Sequence, residues 1–197
     1  MHETMVRRIG MASGLLSAAV FLTLYTVAAF KDPGYTFYED YLSDLGVGPA
    51  AWAFNSAVIV SGALTVIFAL FGLRGVLEPG TLSRVGVLLL SAAGVMLIFI
   101  GVFTEDAGDL HLYFSLAFFL TLLTALGVLS AAFYVSRPLG VSGAAFTLTI
   151  FLFGLALAVL MGTTPQSETL AVFGTVAWGT IVSSALLVRE ILLVSRL

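Results

Sequence analysis

The chain has 197 residues, of which 60% are hydrophobic and only 10% charged, with a net charge of −3. A soluble domain is about 45–50% apolar and about 25% charged, so a water-facing globule is excluded and lipid is the natural solvent. The absence of cysteine removes disulfides, thiolate catalysis, Cys-ligated zinc and iron–sulfur clusters.

A spanning helix needs roughly 20 predominantly apolar residues. Taken in chain order, six stretches meet that length, at about 9–30, 51–73, 84–103, 111–135, 142–162 and 170–190. The first follows a short charged segment, Met1 to Arg8, and is too long for a signal-peptide core, so it reads as a retained helix. Breakers separate the spans: Lys31-Asp32-Pro33-Gly34, Glu78-Pro79-Gly80, Arg137-Pro138-Leu139-Gly140 and Thr164-Pro165, with Pro49 just ahead of the second span. The runs are continuous, without period-2 alternation, so helices and not a barrel satisfy the backbone in lipid. The expected fold is all-α: a polytopic membrane protein, one six-helix transmembrane domain over residues 1–197.

Orientation follows the basic residues. With both termini cytoplasmic, Arg7, Arg8, Arg74, Arg84, Arg137, Arg189 and Arg196 lie inside and only Lys31 lies outside. Glu3, Glu78 and Glu190 accompany the inner set. The remaining eight acids, Asp32, Glu39, Asp40, Asp44, Glu105, Asp106, Asp109 and Glu168, give a strongly acidic outer face. A multi-pass protein of the cell membrane is the expectation.

The loop between the first two spans, with Tyr35, Phe37, Tyr38 and Tyr41, suits the membrane–water boundary. A short interfacial helix stopping near Leu45-Gly46 is expected there. Within the spans no charge sits at mid-depth, which argues against an ion-driven carrier. Ser61-Gly62-Ala63, Ser91-Ala92-Ala93-Gly94, Gly101, and Gly174 with Gly179 and Ser183 mark the helix contacts. Gly94 and Gly101 share one face, open to a neighbouring backbone.

Polar chemistry collects at the outer end. One stretch is Tyr41-Leu42-Ser43-Asp44-Leu45-Gly46, with Asn55 about a turn inside the second span. Another is Thr104-Glu105-Asp106-Ala107-Gly108-Asp109-Leu110-His111; the third, Thr163 to Glu168, says less. The plain account makes Asp109 an N-cap, Asp44 a cap or turn closer, His111 an interfacial residue, and Glu105 and Asp106 solvated charges. Against it, Glu105 and Asp106 follow a helix C-terminus, where anions are disfavoured, and one lysine faces eight acids. On the functional account Asp44 and His111 converge as a catalytic acid/base pair, and Ser43, Asn55 and Asp106 complete the pocket. Asp40, Asp44, Glu105, Asp109 and His111 supply oxygen and imidazole ligands suited to a divalent cation. Two histidines leave no pair for a buried haem. Nucleotide loops, a lysine within a span and a basic nucleic-acid surface are all missing.

The run Leu42-Ser43-Asp44-Leu45-Gly46, then Ala53-Phe54-Asn55, then Gly101-Val102-Phe103 with the acids and His111, resembles a prokaryotic membrane family, domain of unknown function 998. More remotely the chain is similar to the eukaryotic Frag1/DRAM/Sfk1 membrane family, whose association with membrane-lipid processes implies a membrane lipid as partner. The leading reading is a lipid-interacting protein with a polar acidic site at the outer face. The alternatives are a lipid-modifying enzyme of hydrolase or transferase type, and a transporter or complex subunit.

Because the chain lacks cysteine, topology is directly testable. In intact cells, Asp106→Cys should react with an impermeant maleimide, while Glu3→Cys should react only after permeabilisation. Labelling of both from one side would overturn the arrangement.

Overall fold

The computed structural model describes residues 2–194; Arg196, counted above among the inner arginines, lies outside them. The six spans are all helical. They are α1 (His2–Lys31), α2 (Ala51–Ile67, continuing through a π turn, Phe68–Leu73), α3 (Thr81–Val102), α4 (Asp109–Ser136), α5 (Gly140–Met161) and α6 (Pro165–Val194). Each is long and apolar enough to cross a membrane, and no strand occurs among the described residues. The protein is a multi-pass membrane protein. α1 and α6 outrun the expected spans because polar residues extend both helices past their apolar centres. α6 begins at Pro165 with a reciprocal cap: the Thr164 N–H donates to Ser167 Oγ at 3.0 Å and the Ser167 N–H to Thr164 Oγ1 at 3.2 Å. Thr164 is thus the N-cap and Pro165 the first helical residue, which needs no N–H.

The helices pack in chain order, each on the next, and α6 closes the ring on α1. Three kinds of contact hold it. At the α2–α3 crossing the backbones touch: a Cβ on Gly62 would lie 2.6 Å from the Gly94 carbonyl oxygen, and one on Gly94 2.8 Å from that of Gly62. A Cβ on Gly101 would lie 2.9 Å from the Asn55 carbonyl oxygen, so the small-residue face expected on α3 is the one α2 occupies. Gly10 of α1 meets the π turn in the same way, 2.3 Å from the Gly72 nitrogen. Hydroxyls then stitch α1 to α2. Ser17 Oγ donates to the Ser61 carbonyl at 3.2 Å and Ser61 Oγ to the Ser17 carbonyl at 3.1 Å. Finally, charge closes the ring. Arg7 Nη2 of α1 lies 2.7 Å from Glu190 Oε1 of α6, and Glu190 is buried.

The loops α1–α2, α3–α4 and α5–α6 meet at one end of the ring, which carries eight of the eleven acids and is called the acidic end below. There the α1–α2 loop folds over the helices. Its short 3-10 turn, Leu42–Gly46, buries Leu42, Leu45 and Gly46, close to the expected interfacial helix. Tyr41 Oη donates to the Thr163 carbonyl at 2.9 Å and Gln166 Nε2 donates to the Tyr38 carbonyl. Phe37 and Tyr25 pack on Phe173 of α6, with ring centroids 6.0 and 5.4 Å apart.

Gly94→Val drives a branched side chain into the Gly62 backbone and should cost about 1–3 kcal/mol, the usual range for overpacking. Gly80→Ala, where an added Cβ meets nothing within 4 Å, should be close to neutral. Reversible unfolding in mixed micelles distinguishes the two; equal stability of Gly94→Val and the parent would contradict the contact.

Candidate functional site

Two voids meet at the acidic end. A narrow cavity of about 120 Å³ runs between α1, α2, α3, α4 and α6, among Phe21, Phe54, Phe68, Leu90, Phe118 and Trp178, under Leu42 and Ser43. A larger groove of about 600 Å³ lies between α4, α5 and α6. It exists because α4 and α6 each pack on α5 without packing closely on one another. Leu116, Leu120, Leu123, Ile150, Phe153 and Leu157 form its walls. Leu112, Leu116, Leu120 and Phe153 are exposed, so the groove opens on the flank of the bundle. Its polar end holds Tyr41, Ser43, Glu105, Asp109, His111, Ser167 and Glu168. Ser43 and Glu168 line both voids.

His111 is the most constrained of these groups. It opens α4, is only 9% exposed, and places Nδ1 2.7 Å from the Phe103 carbonyl oxygen. That carbonyl ends α3 and has no helical partner. Since a carbonyl only accepts, Nδ1 is the nitrogen that donates, and in the neutral ring Nε2 keeps its lone pair. Phe103 and Phe99 stack with Phe114 at 5.3 and 4.8 Å, packing aromatic rings where the same two helix ends meet.

Asp44 closes its own turn: Oδ2 accepts the Tyr41 N–H at 2.8 Å, as the plain account expects. The rest of its carboxyl faces Glu105. Burial, then a hydrogen bond shared with Asp44, then repulsion from it push the Glu105 carboxyl from its ordinary 4.5 up to about 7. Glu168 approaches from α6, its Oε2 accepting the Leu42 N–H at 3.2 Å, near enough to Asp44 and Glu105 for mutual repulsion. Three carboxyl groups from three chain segments thus lie within electrostatic reach of one another at the acidic end, Glu105 and Glu168 lining the groove and Asp44 behind them.

The expected Asp44–His111 pair is not formed: no hydrogen bond or ion pair joins the two. Each is committed elsewhere: Asp44 to the Tyr41 N–H and to Glu105, and His111 Nδ1 to the Phe103 carbonyl. Nor do Asp40, Asp44, Glu105, Asp109 and His111 gather as a ligand set; among the described residues no three His, Asp or Glu converge on a metal position. Asp40 instead folds back on Thr36, accepting its N–H at 2.7 Å. Asn55 Nδ2 donates to the Gly46 carbonyl at 2.9 Å, tying the loop turn to α2 outside both voids. Asp106 is exposed and accepts from Thr104 Oγ1. Asp109 is not the N-cap of α4. The chain turns at Gly108 (φ 60°), whose carbonyl accepts the first helical N–H, from Leu112 at 3.2 Å, and Asp109 is exposed as the first helical residue. Ser43 lines both voids.

Glu168 and Tyr41 are the groups the sequence reading left out of the site. A Glu in the first turn of a span that is otherwise apolar was the available signal.

Residues 15–189 match the family described as "Protein of unknown function (DUF998)". The chain belongs to that family. The match takes in α2 to α5 whole, most of α1 and α6, and every group at the acidic end. No curated protein and no solved structure matches the chain.

The raised Glu105 carboxyl fixes a pH dependence. A group whose folded value exceeds its unfolded one contributes stability fully below the unfolded value and loses it as pH rises through the folded value. Thermal stability in detergent should therefore fall between about pH 4.5 and pH 7 and level off above, relative to Glu105→Gln, in which this component is absent. Discounted for partial exposure to about 1 kcal/mol, the difference is roughly 2–4 °C. Parallel curves for parent and variant would show that Glu105 titrates normally.

Proposed function

We propose that the protein is a lipid-interacting protein of the cell membrane, holding a lipid tail in the α4–α5–α6 groove with the headgroup at its acidic end. One observation carries this reading: an apolar groove open on the bundle flank ends in a partly buried cluster of polar groups, the shape and polarity of an amphiphile. A tail enters sideways from the bilayer without leaving apolar surroundings. The headgroup then sits level with Tyr41 and the loop aromatics, which mark the boundary depth. With the arginines at the opposite end of the bundle, the acidic end faces outward and both termini are cytoplasmic.

The reading as a lipid-modifying enzyme requires an acid/base pair, and Asp44 is spent on its own turn and on Glu105. Transport calls for a polar path at mid-depth, whereas the central cavity is narrow and lined chiefly by apolar side chains there.

Protein purified in mild detergent should carry lipid at a fixed ratio, detected by native mass spectrometry. Ala158→Trp, which fills the groove from an exposed wall position on α5, should reduce the retained lipid at least severalfold without unfolding the protein. Retention equal to the parent's would refute the groove as the binding place.

A further inference from the structure

The polar end of the groove is one-sided in its hydrogen bonding. Tyr41 Oη is committed as a donor to the Thr163 carbonyl, and Ser167 Oγ lies 2.7 Å from the Gly162 carbonyl it donates to. Of what remains at the groove, the Ser43 hydroxyl can donate or accept, whereas the carboxylates of Glu105, Asp109 and Glu168, and a neutral His111 at Nε2, can only accept. His111 is nine-tenths buried, its Nδ1 is taken by Phe103, and Nε2 has no partner. No lysine or arginine lines the groove, and Lys31, the single base at this end, is exposed.

We propose that the groove selects an amphiphile whose headgroup is a primary ammonium, held by Glu105, Asp109 and Glu168 with one N–H donated to His111 Nε2. This rests on the groove reading above and adds the headgroup class. A phosphate or other anion would enter a field of carboxylates with no cation to meet it. A quaternary ammonium is recognised by aromatic faces, and Tyr41 is the single ring among the polar groups at this end besides His111. A primary ammonium brings three donors and one positive charge, matching an acceptor-rich, acidic end.

The test uses the full chain in phosphatidylcholine nanodiscs at about pH 8, with hexadecylamine, hexadecanol, hexadecyl phosphate and butylamine as probes, bound probe being counted by native mass spectrometry. Hexadecylamine should bind at one per chain, at least about tenfold more tightly than hexadecanol or hexadecyl phosphate, the scale of a charge-assisted hydrogen bond. Glu168→Gln should weaken it about tenfold and leave hexadecanol unchanged. Asp109→Asn, at an exposed position that folding does not depend on, should act in the same direction if Glu168→Gln proves unstable. If the three hexadecyl probes bind alike, or the phosphate binds best, and Ala158→Trp abolishes them all, the ammonium proposal is overturned while the groove stands. Butylamine binding as tightly as hexadecylamine would overturn it too, by making the site one for soluble amines. Hexadecyl binding that is absent, or indifferent to Ala158→Trp, removes the groove reading and this proposal together.

Discussion

The contact between the backbones of Gly62 and Gly94 sets the rest of the architecture. In lipid, helices gain nothing by hiding apolar surface from one another, and association depends on close packing and polar stitching. Where two glycines face, the helix axes come as near as main chains allow, and the serines of α1 and α2 add hydroxyl-to-carbonyl bonds beside that seam. The ring is therefore tight from α1 to α3. It is loosest opposite, where α5 sets Phe151 against Gly127 of α4 and Phe153 against Gly174 of α6 and holds the two helices apart. The asymmetry makes the flank groove: small residues draw one side together and bulky ones prop the other open.

At the acidic end the polar side chains serve two purposes at once. His111 satisfies the last carbonyl of α3 with one nitrogen and lines the groove with the rest of its ring. Glu168 receives the Leu42 N–H with one oxygen and stands beside Asp44 and Glu105. Each group is anchored by a backbone partner that fixes its position, so its remaining capacity is pre-oriented. Such anchoring also explains why carboxyls are tolerated so close together: their positions are imposed by chain termini and turns, and a shared proton relieves part of the repulsion.

The spans were readable because the length and apolarity of a membrane helix leave one solution for the backbone. The α2–α3 contact was readable from Gly94 and Gly101, since a seven-residue spacing returns to the same face. Much less of the site was. An apolar helix facing lipid on one side and protein on the other has no amphipathic stripe, so its inward face cannot be picked out by periodicity. Pairing Asp44 with His111 rested on α2 and α4 coming together, whereas the outcome depends on which backbone groups the loop turn and the end of α3 offer these two side chains, which hydropathy does not report. Glu168 went unrecognised because Thr164-Pro165 looks like the end of a loop, when it is already the cap of α6 and turns the next residues inward. Asp109 looked like a cap by residue type; Gly108, free to adopt positive φ, took the position instead.

The π turn at the end of α2 remote from the acidic end has a consequence for sequence length. Its wide hydrogen bond, from the Arg74 N–H to the Ala69 carbonyl, houses one residue more than an α-turn would. Each helical residue advances the azimuth by about 100°, so Gly72 faces Gly10 only while that extra residue is present. Substitutions in this turn other than at Gly72, where a Cβ would meet the Gly10 backbone, alter side chains alone, whereas losing a single residue there would rotate the end of the span against α1 and swing Leu73 out of the core. α2 is in this sense written in two reading frames, spliced inside the membrane, and its tolerance to replacement and to deletion should part company at that splice.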